Sequence, residues 1–385
     1  FQVFTPEIID RFNKISTPFY YYDLNILENN LKLLSDCLTK SNKVHFSVKS
    51  NSNSNILTLI KSYGLGIDAV SSNEIKHCKA LGFNSKDIVF AGVGKSDKEI
   101  EYGIINNIAY FNVESFQELE VVARISKRLS KKTNVSIRIN PNIKSDTHKK
   151  IQTGSSDDKF GIDINDISLI PKFNKLENIK ITGIHFHIGS QLINLNPFHE
   201  LCEISNSVLK YLNDNGLKIN NINVGGGLGI DYENPENNLL SNFKNFISLF
   251  NNKINLERSQ SIHFELGRSI VGQCGFLISK ILYSKKSYGR NFLILDSGMN
   301  NLIRPALYDS RHKISNITSK HTNYSKYDVV GPICESSDTF ATDYRLIKSD
   351  RGDLIVIHSC GAYGESMSSN YNLRDNINSY FSDTI

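Results

Sequence analysis

Val44-His45-Phe46-Ser47-Val48-Lys49-Ser50-Asn51-Ser52-Asn53 is half strand and half loop. Val44, Phe46 and Val48 alternate with His45, Ser47 and Lys49, the period-two pattern of a strand with two unlike faces. Small polar residues follow at once, so Lys49 stands where the apolar run gives out. A lysine there is either a solvated strand end or an amine aimed into a site. For a lone lysine the first reading is the commoner, and the rest of the chain has to decide.

Outward from this stretch a rhythm appears. Leu27, Leu31, Leu34 and Leu38 recur at helical spacing ahead of it. Short apolar runs then alternate with helical stretches: 66–70, 88–91, 110–113, 135–139, 182–188, 222–224 and 261–266. Ser115 and Glu118 have the spacing of a capping box, followed by Leu119, Val122, Ile125 and Leu129 on one helical face. Strands that alternate with helices form parallel sheets, and about eight of them close a barrel. From about residue 273 strand-like runs follow one another with few helices between: 275–283, 291–296, 327–331 and 353–359. The predicted class is α/β, a (β/α)8 TIM-like barrel over 18–272 and an all-β domain over 273–385, joined by the segment 1–17. The polar stretch Lys144 to Asp158 reads as a mobile loop.

Composition excludes several functions. The chain has 385 residues, 39% hydrophobic and 22% charged, with a net charge of +5 and no basic block, so no nucleic-acid partner is expected. No apolar run reaches the length of a membrane span. Six cysteines are widely spaced without a C-x-x-C pair, which suits a reducing, cytoplasmic setting and neither a disulfide framework nor a zinc site.

In a β/α barrel, working residues gather at the C-terminal ends of the strands. Lys49 ends the first. His185 and His187 end the sixth; an H-x-H pair can bind metal, stack on a planar ligand, or be satisfied inside a polar barrel. With no second histidine cluster, metal is the minority reading. Gly225, Gly226, Gly227 and Gly229 follow the seventh, where backbone N–H groups can cradle a phosphate. Glu265-Leu266-Gly267-Arg268 ends the eighth and sets a carboxylate beside a guanidinium; a local ion pair is an equal alternative. An amine, an imidazole face, a phosphate cradle and a carboxylate for a ring nitrogen together suit pyridoxal 5′-phosphate.

At these residues the chain resembles the alanine-racemase-fold, pyridoxal-phosphate-dependent decarboxylases, and among them the diaminopimelate decarboxylases. The resemblance runs from about Pro18 to Arg374. It is carried by Phe46 to Asn51, Asp68 to Ser71, Thr153-Gly154 with Lys159 to Gly161, His185 to Gln191, Gly225 to Gly229 and Glu265 to Arg268. Arg304 to Tyr308, Gly331 to Asp338 and Gly361 to Tyr363 with Ser369 to Asn372 continue it.

The resemblance implies a carboxy-lyase that converts meso-2,6-diaminopimelate to L-lysine and CO2. Lys49 would anchor the cofactor as a Schiff base. His187 would stack on its ring and Glu265 pair with its ring nitrogen. Gly225, Gly226, Gly227, Gly267, Arg268, Tyr363 and Ser190 would surround its phosphate. Arg304, Tyr308, Arg268 and Tyr363 would hold the substrate's distal carboxylate and Glu335 its distal ammonium, while Cys334 would protonate carbon. The family's sites are shared across a homodimer. Carboxynorspermidine is the competing substrate, and a non-catalytic relative the reading from another class; the intact set of groups argues against the latter. Leu266 replaces the family's proline, Ser50 its alanine, and Asn376 to Ile385 departs from its closing strand.

Overall fold

The computed structural model describes residues 3–143, 154 and 158–385. Thr153 and most of the loop expected to be mobile lie outside the described residues. The chain forms two compact units. One comprises Leu31–Gly229 with Asn242–Gly267; the other comprises Phe1–Asn30, Ile230–Ser241 and Arg268–Ile385.

The first unit is a closed barrel of eight parallel strands: Asn42–Ser47, Gly66–Ala69, Ile88–Phe90, Tyr110–Val113, Thr133–Asn140, Ile179–His185, Asn221–Asn223 and Ser261–Leu266. The eighth pairs with the first, Glu265 opposite His45, and this closes the ring. Alternation sorts the side chains. Phe264, on the outer face of the eighth strand, packs at 5.8 and 5.6 Å between ring centroids on Phe246 and Phe250 of the helix Phe243–Lys253. The other parity is polar and buried: His45, Ser47, Asp68, Asn112, Ser136, Arg138, His185, Asn223, His263 and Glu265. Low in the barrel, His45 Nε2 lies 3.1 Å from His263 Nδ1, and the Tyr110 hydroxyl 2.8 Å from the same atom. In the helix Phe116–Arg128, Leu119, Val122 and Ile125 are buried. Its expected capping box forms by half: Ser115 accepts the Glu118 N–H, but the Glu118 carboxylate takes the Glu114 N–H and pairs with Lys95.

The second unit is built on a sheet whose strands run Ile314–Asn316, Leu354–Ile357, Gly275–Ser287, Arg290–Leu295, Tyr324–Val330, Thr339–Ile347 in spatial order. Phe19–Tyr22 joins it, antiparallel to Gly275–Ser287 with Tyr20 opposite Leu277. Ser379–Phe381 adds in parallel to Phe19–Tyr22, so the divergent C-terminal stretch does supply a strand. The strand Phe19–Tyr22 has no counterpart in the sequence reading. All four residues are buried, so no alternation marks it.

Candidate active site

The first strand ends at Ser47, and Val48–Ser50 form a tight 3-10 turn, two residues earlier than the sequence pattern suggests. The Ser50 hydroxyl closes this turn by donating to the Ser47 carbonyl at 2.7 Å, which gives the departure from alanine a structural role. Gly267 is required beside it: a Cβ there would sit 2.7 Å from Ser50 Oγ and 3.2 Å from Ser47 Cβ. The turn lifts Lys49 out of the strand with its side chain 40% exposed, and its Nζ lies 3.4 Å from Asp68 Oδ2. Asp68 is fully buried and also accepts from Ser47 Oγ. Burial, with Glu265 nearby, raises the Asp68 carboxyl above its ordinary range despite Lys49.

Glu265 is held by three strands. Asn112 and Asn223 donate to Oε1 at 2.9 and 2.7 Å, and His185 Nε2 lies 3.0 Å from Oε2. Burial pushes its carboxyl up, but His185 and Lys49 outweigh that and hold it well below the usual range. Glu265 is therefore an ionised carboxylate fixed at a barrel end. His185 and His187 diverge: the first serves Glu265, while the second accepts the Gly226 N–H at Nδ1, 3.2 Å away. Burial and the Arg138 charge push the His187 pKa well below its ordinary value, so its ring is neutral.

The glycine run lies against neighbouring backbone. A Cβ on Gly226 would come within 1.9 Å of the Glu265 carbonyl, and Gly225 has φ +72°. The Gly225 N–H goes to Asn223 Oδ1 and the Gly226 N–H to His187, so two of the three expected phosphate donors seat side chains. The half-buried Gly227 keeps its N–H clear of any hydrogen bond among the described residues. Ser190 lies on the loop that zips to this run through Leu192 N–H to Gly227 O and Gly229 N–H to Leu192 O.

In the β-rich unit a second cluster forms. Arg268 donates to the Tyr232 hydroxyl at 2.5 Å and lies 4.9 Å over the Tyr363 ring. Tyr363 has φ +57°, a strained backbone for a non-glycine residue. Arg304 opens the short helix that ends at Tyr308, and its guanidinium lies 4.7 Å over the Tyr232 ring. It is buried, its Nε has no hydrogen-bond partner, and among the described residues no carboxylate pairs with it. Cys334 and Glu335 are exposed on a loop pinned by Asp338, whose carboxylate accepts the Ile333 and Met299 N–H groups, each at 2.6 Å. The Cys334 N–H donates to Asn372 Oδ1 at 3.1 Å, and Tyr371 donates to Glu335 at 2.5 Å.

Asn112, Asn223, Arg138, Tyr232 and Asp338 were not singled out from sequence. Strand parity is the signal that marks the first three, since each is a polar residue between two apolar ones in its strand: Phe111 and Val113, Ile222 and Val224, Ile137 and Ile139. The barrel fits pyridoxal phosphate on its own terms. Besides the amine and the ionised carboxylate, Asp68 Oδ1, Asn112 Oδ1, Arg138 Nη2 and His185 Nδ1 are buried without hydrogen-bond partners, a polar lining suited to a polar ring.

Comparison with known proteins agrees with this geometry. Residues 24–272 match the family described as pyridoxal-dependent decarboxylase, pyridoxal binding domain. The diaminopimelate decarboxylase of Bacteroides thetaiotaomicron is 46% identical over 380 residues, 98% of each chain. That of Helicobacter pylori is 39% identical over 94% of this chain and 89% of its own. The crystal structure of the Helicobacter pylori enzyme complexed with L-lysine superposes with a TM-score of 0.91 at 37% identity, covering 97% of this chain and 93% of that one. The chain belongs to the pyridoxal-dependent decarboxylases, in the diaminopimelate decarboxylase family.

Proposed function

We propose that this protein decarboxylates meso-2,6-diaminopimelate to L-lysine and CO2, the closing step of lysine formation, in the cytoplasm. The observation that carries the substrate class is Arg304. A buried guanidinium with an unpartnered Nε and no carboxylate beside it, among the described residues, asks for an anion from outside the chain. Diaminopimelate brings one at the end away from the reaction. As substrates, lysine and ornithine would present their one carboxylate to the reaction and have none at the far end. Arg304, with Tyr308, Arg268 and Tyr363, receives that carboxylate, and Glu335 receives the ammonium beside it.

Pyridoxal phosphate, when bound, supplies an aldehyde that captures an amine and a ring that accepts the electrons of the breaking Cα–carboxylate bond. Lys49 provides the anchoring amine, and Asp68, 3.4 Å away with a raised pKa, is placed to exchange its proton. Glu265 stays ionised and would hold a proton at the ring nitrogen, which would strengthen the electron demand. His187 offers a neutral ring whose orientation Gly226 fixes. Gly225, Gly226, Gly227, Gly267 and Ser190 would hold the cofactor's phosphate, and Gly227 has its N–H to give. After CO2 leaves, the Cys334 thiol delivers a proton to the carbon.

Cys334 and Glu335 stand exposed on a pinned loop, as groups that serve a neighbouring subunit would. The active assembly is accordingly a homodimer with shared sites. Incubation with pyridoxal phosphate and meso-diaminopimelate is expected to release CO2 and L-lysine in equal amounts. No lysine from folded, cofactor-loaded protein refutes the assignment, and faster turnover of carboxynorspermidine would transfer it to that substrate.

A further inference from the structure

His312 lies eight residues beyond Arg304, and no sequence pattern links the two. In the fold its imidazole is buried against Arg304: Arg304 Nη1 lies 2.9 Å from His312 Nε2. The other ring nitrogen, Nδ1, lies 2.8 Å from the His358 carbonyl. A carbonyl can only accept, so Nδ1 carries the proton and donates. Nε2 therefore presents a lone pair, and the Arg304 N–H donates to it. The backbone fixes the carbonyl in turn, since the His358 N–H donates to Lys313 O at 2.9 Å. The Tyr232 ring packs edge-on to His312 at 4.9 Å and takes Arg304 on its face.

We propose that His312 is a positioning residue for substrate recognition: an uncharged acceptor that sets the orientation of the Arg304 guanidinium and leaves its remaining N–H edge for the substrate's far carboxylate. The inference rests on the reading of Arg304 as that carboxylate's partner. Two properties of imidazole matter. It offers one acceptor atom, so it occupies one N–H group where a carboxylate would take two. It is also neutral, so the arginine's charge stays available to the ligand. Burial and the adjacent Arg304 charge both push the His312 pKa well below its ordinary value and keep it so.

Asparagine and glutamine separate the two ring nitrogens. An Asn amide nitrogen can replace Nδ1 and keep the bond to His358, but it offers Arg304 no acceptor. A Gln carbonyl can replace Nε2. A hydrogen bond to a charged group is worth enough that His312→Asn should raise the KM for meso-diaminopimelate about tenfold or more, with a smaller fall in kcat, while His312→Gln stays within about threefold of wild type. Competition adds a second readout. L-lysine keeps the far carboxylate and should compete more weakly in His312→Asn; 1,5-diaminopentane lacks it and should compete equally in all three proteins. Equal behaviour of the two variants, or parallel weakening of both competitors, overturns the proposal and leaves His312 a packing residue. Should His312→Asn not fold, His312→Ser with added imidazole makes the same comparison: restored lysine competition supports the role, and no restoration refutes it. Lysine and diaminopentane competing equally in the wild type would instead refute the reading of Arg304.

Discussion

A carboxylate buried in a barrel is expensive unless donors surround it. Glu265 has three, from Asn112, Asn223 and His185, and they come from three different strands. The same donors that stabilise the charge also aim it. Glu265→Gln keeps the shape but turns an acceptor atom into an NH2 group facing amide donors. Preorganised charges of this kind are worth about 100-fold or more in rate, so kcat for meso-diaminopimelate should fall by at least that, while the cofactor's visible absorbance persists. Kinetics and a spectrum of the same sample check both. A variant with normal kcat would remove Glu265 from the chemistry.

The glycine run is where an element's backbone, and not its side chains, does the organising. It threads past the Glu265 carbonyl and supplies the N–H that orients His187. Gly226→Ala forces a methyl group into that carbonyl. Overpacking of this sort costs roughly 1–3 kcal/mol, expected as a lower urea midpoint together with weakened cofactor retention. The barrel's polar inner face makes a second demand. Burial lowers the His45 pKa to about 4, against an ordinary value of 6.5. Between these values the unfolded chain binds a proton that the folded barrel refuses, so stability falls as pH drops from 6.5 toward 4. From pH 7 to 4.5 His45 alone should contribute about 2 kcal/mol of that loss, so a His45→Gln variant should show a shallower dependence by that amount in urea titrations at the two pH values. Glu74, raised to about 7 by burial, acts in the opposite direction over the same range and is common to both proteins.

For the whole molecule the decisive feature is that the chain enters each compact unit more than once. The sequence rhythm suggests one cut near residue 272, whereas residues 230–241 and the segment up to Asn30 belong with the β-rich unit. One cut falls between Gly267 and Arg268, so a single motif gives a carboxylate to the barrel and a guanidinium to the other unit. Sharing between subunits is open to a direct test. Lys49→Ala and Cys334→Ala proteins should each be nearly inactive. If each site takes Lys49 from one subunit and Cys334 from the other, random exchange makes half the dimers mixed, with one intact site in two. Mixing should then restore about a quarter of wild-type activity. Sites complete within one chain would give no recovery. Among the described residues no helix is long and apolar enough to cross a membrane, and no group of three His, Cys, Asp or Glu side chains could hold a metal.

Much of this was legible in the sequence because it is periodic or local. Eight short apolar runs separated by helical spacing determined the barrel, and their C-terminal ends determined where Lys49, His187, Gly225 to Gly227 and Glu265 would collect. Periodicity sets which face a residue shares and nothing about its partners across the fold. The partners were settled by tertiary structure: that His185 serves Glu265, that Asn112 and Asn223 complete its donors, that the Gly226 N–H seats His187, and that His312 meets Arg304. Phe19–Tyr22 and Ser379–Phe381 belong with these. Neither belongs to the alternation of strand and helix that marks the barrel, and only its neighbours in the sheet make it a strand.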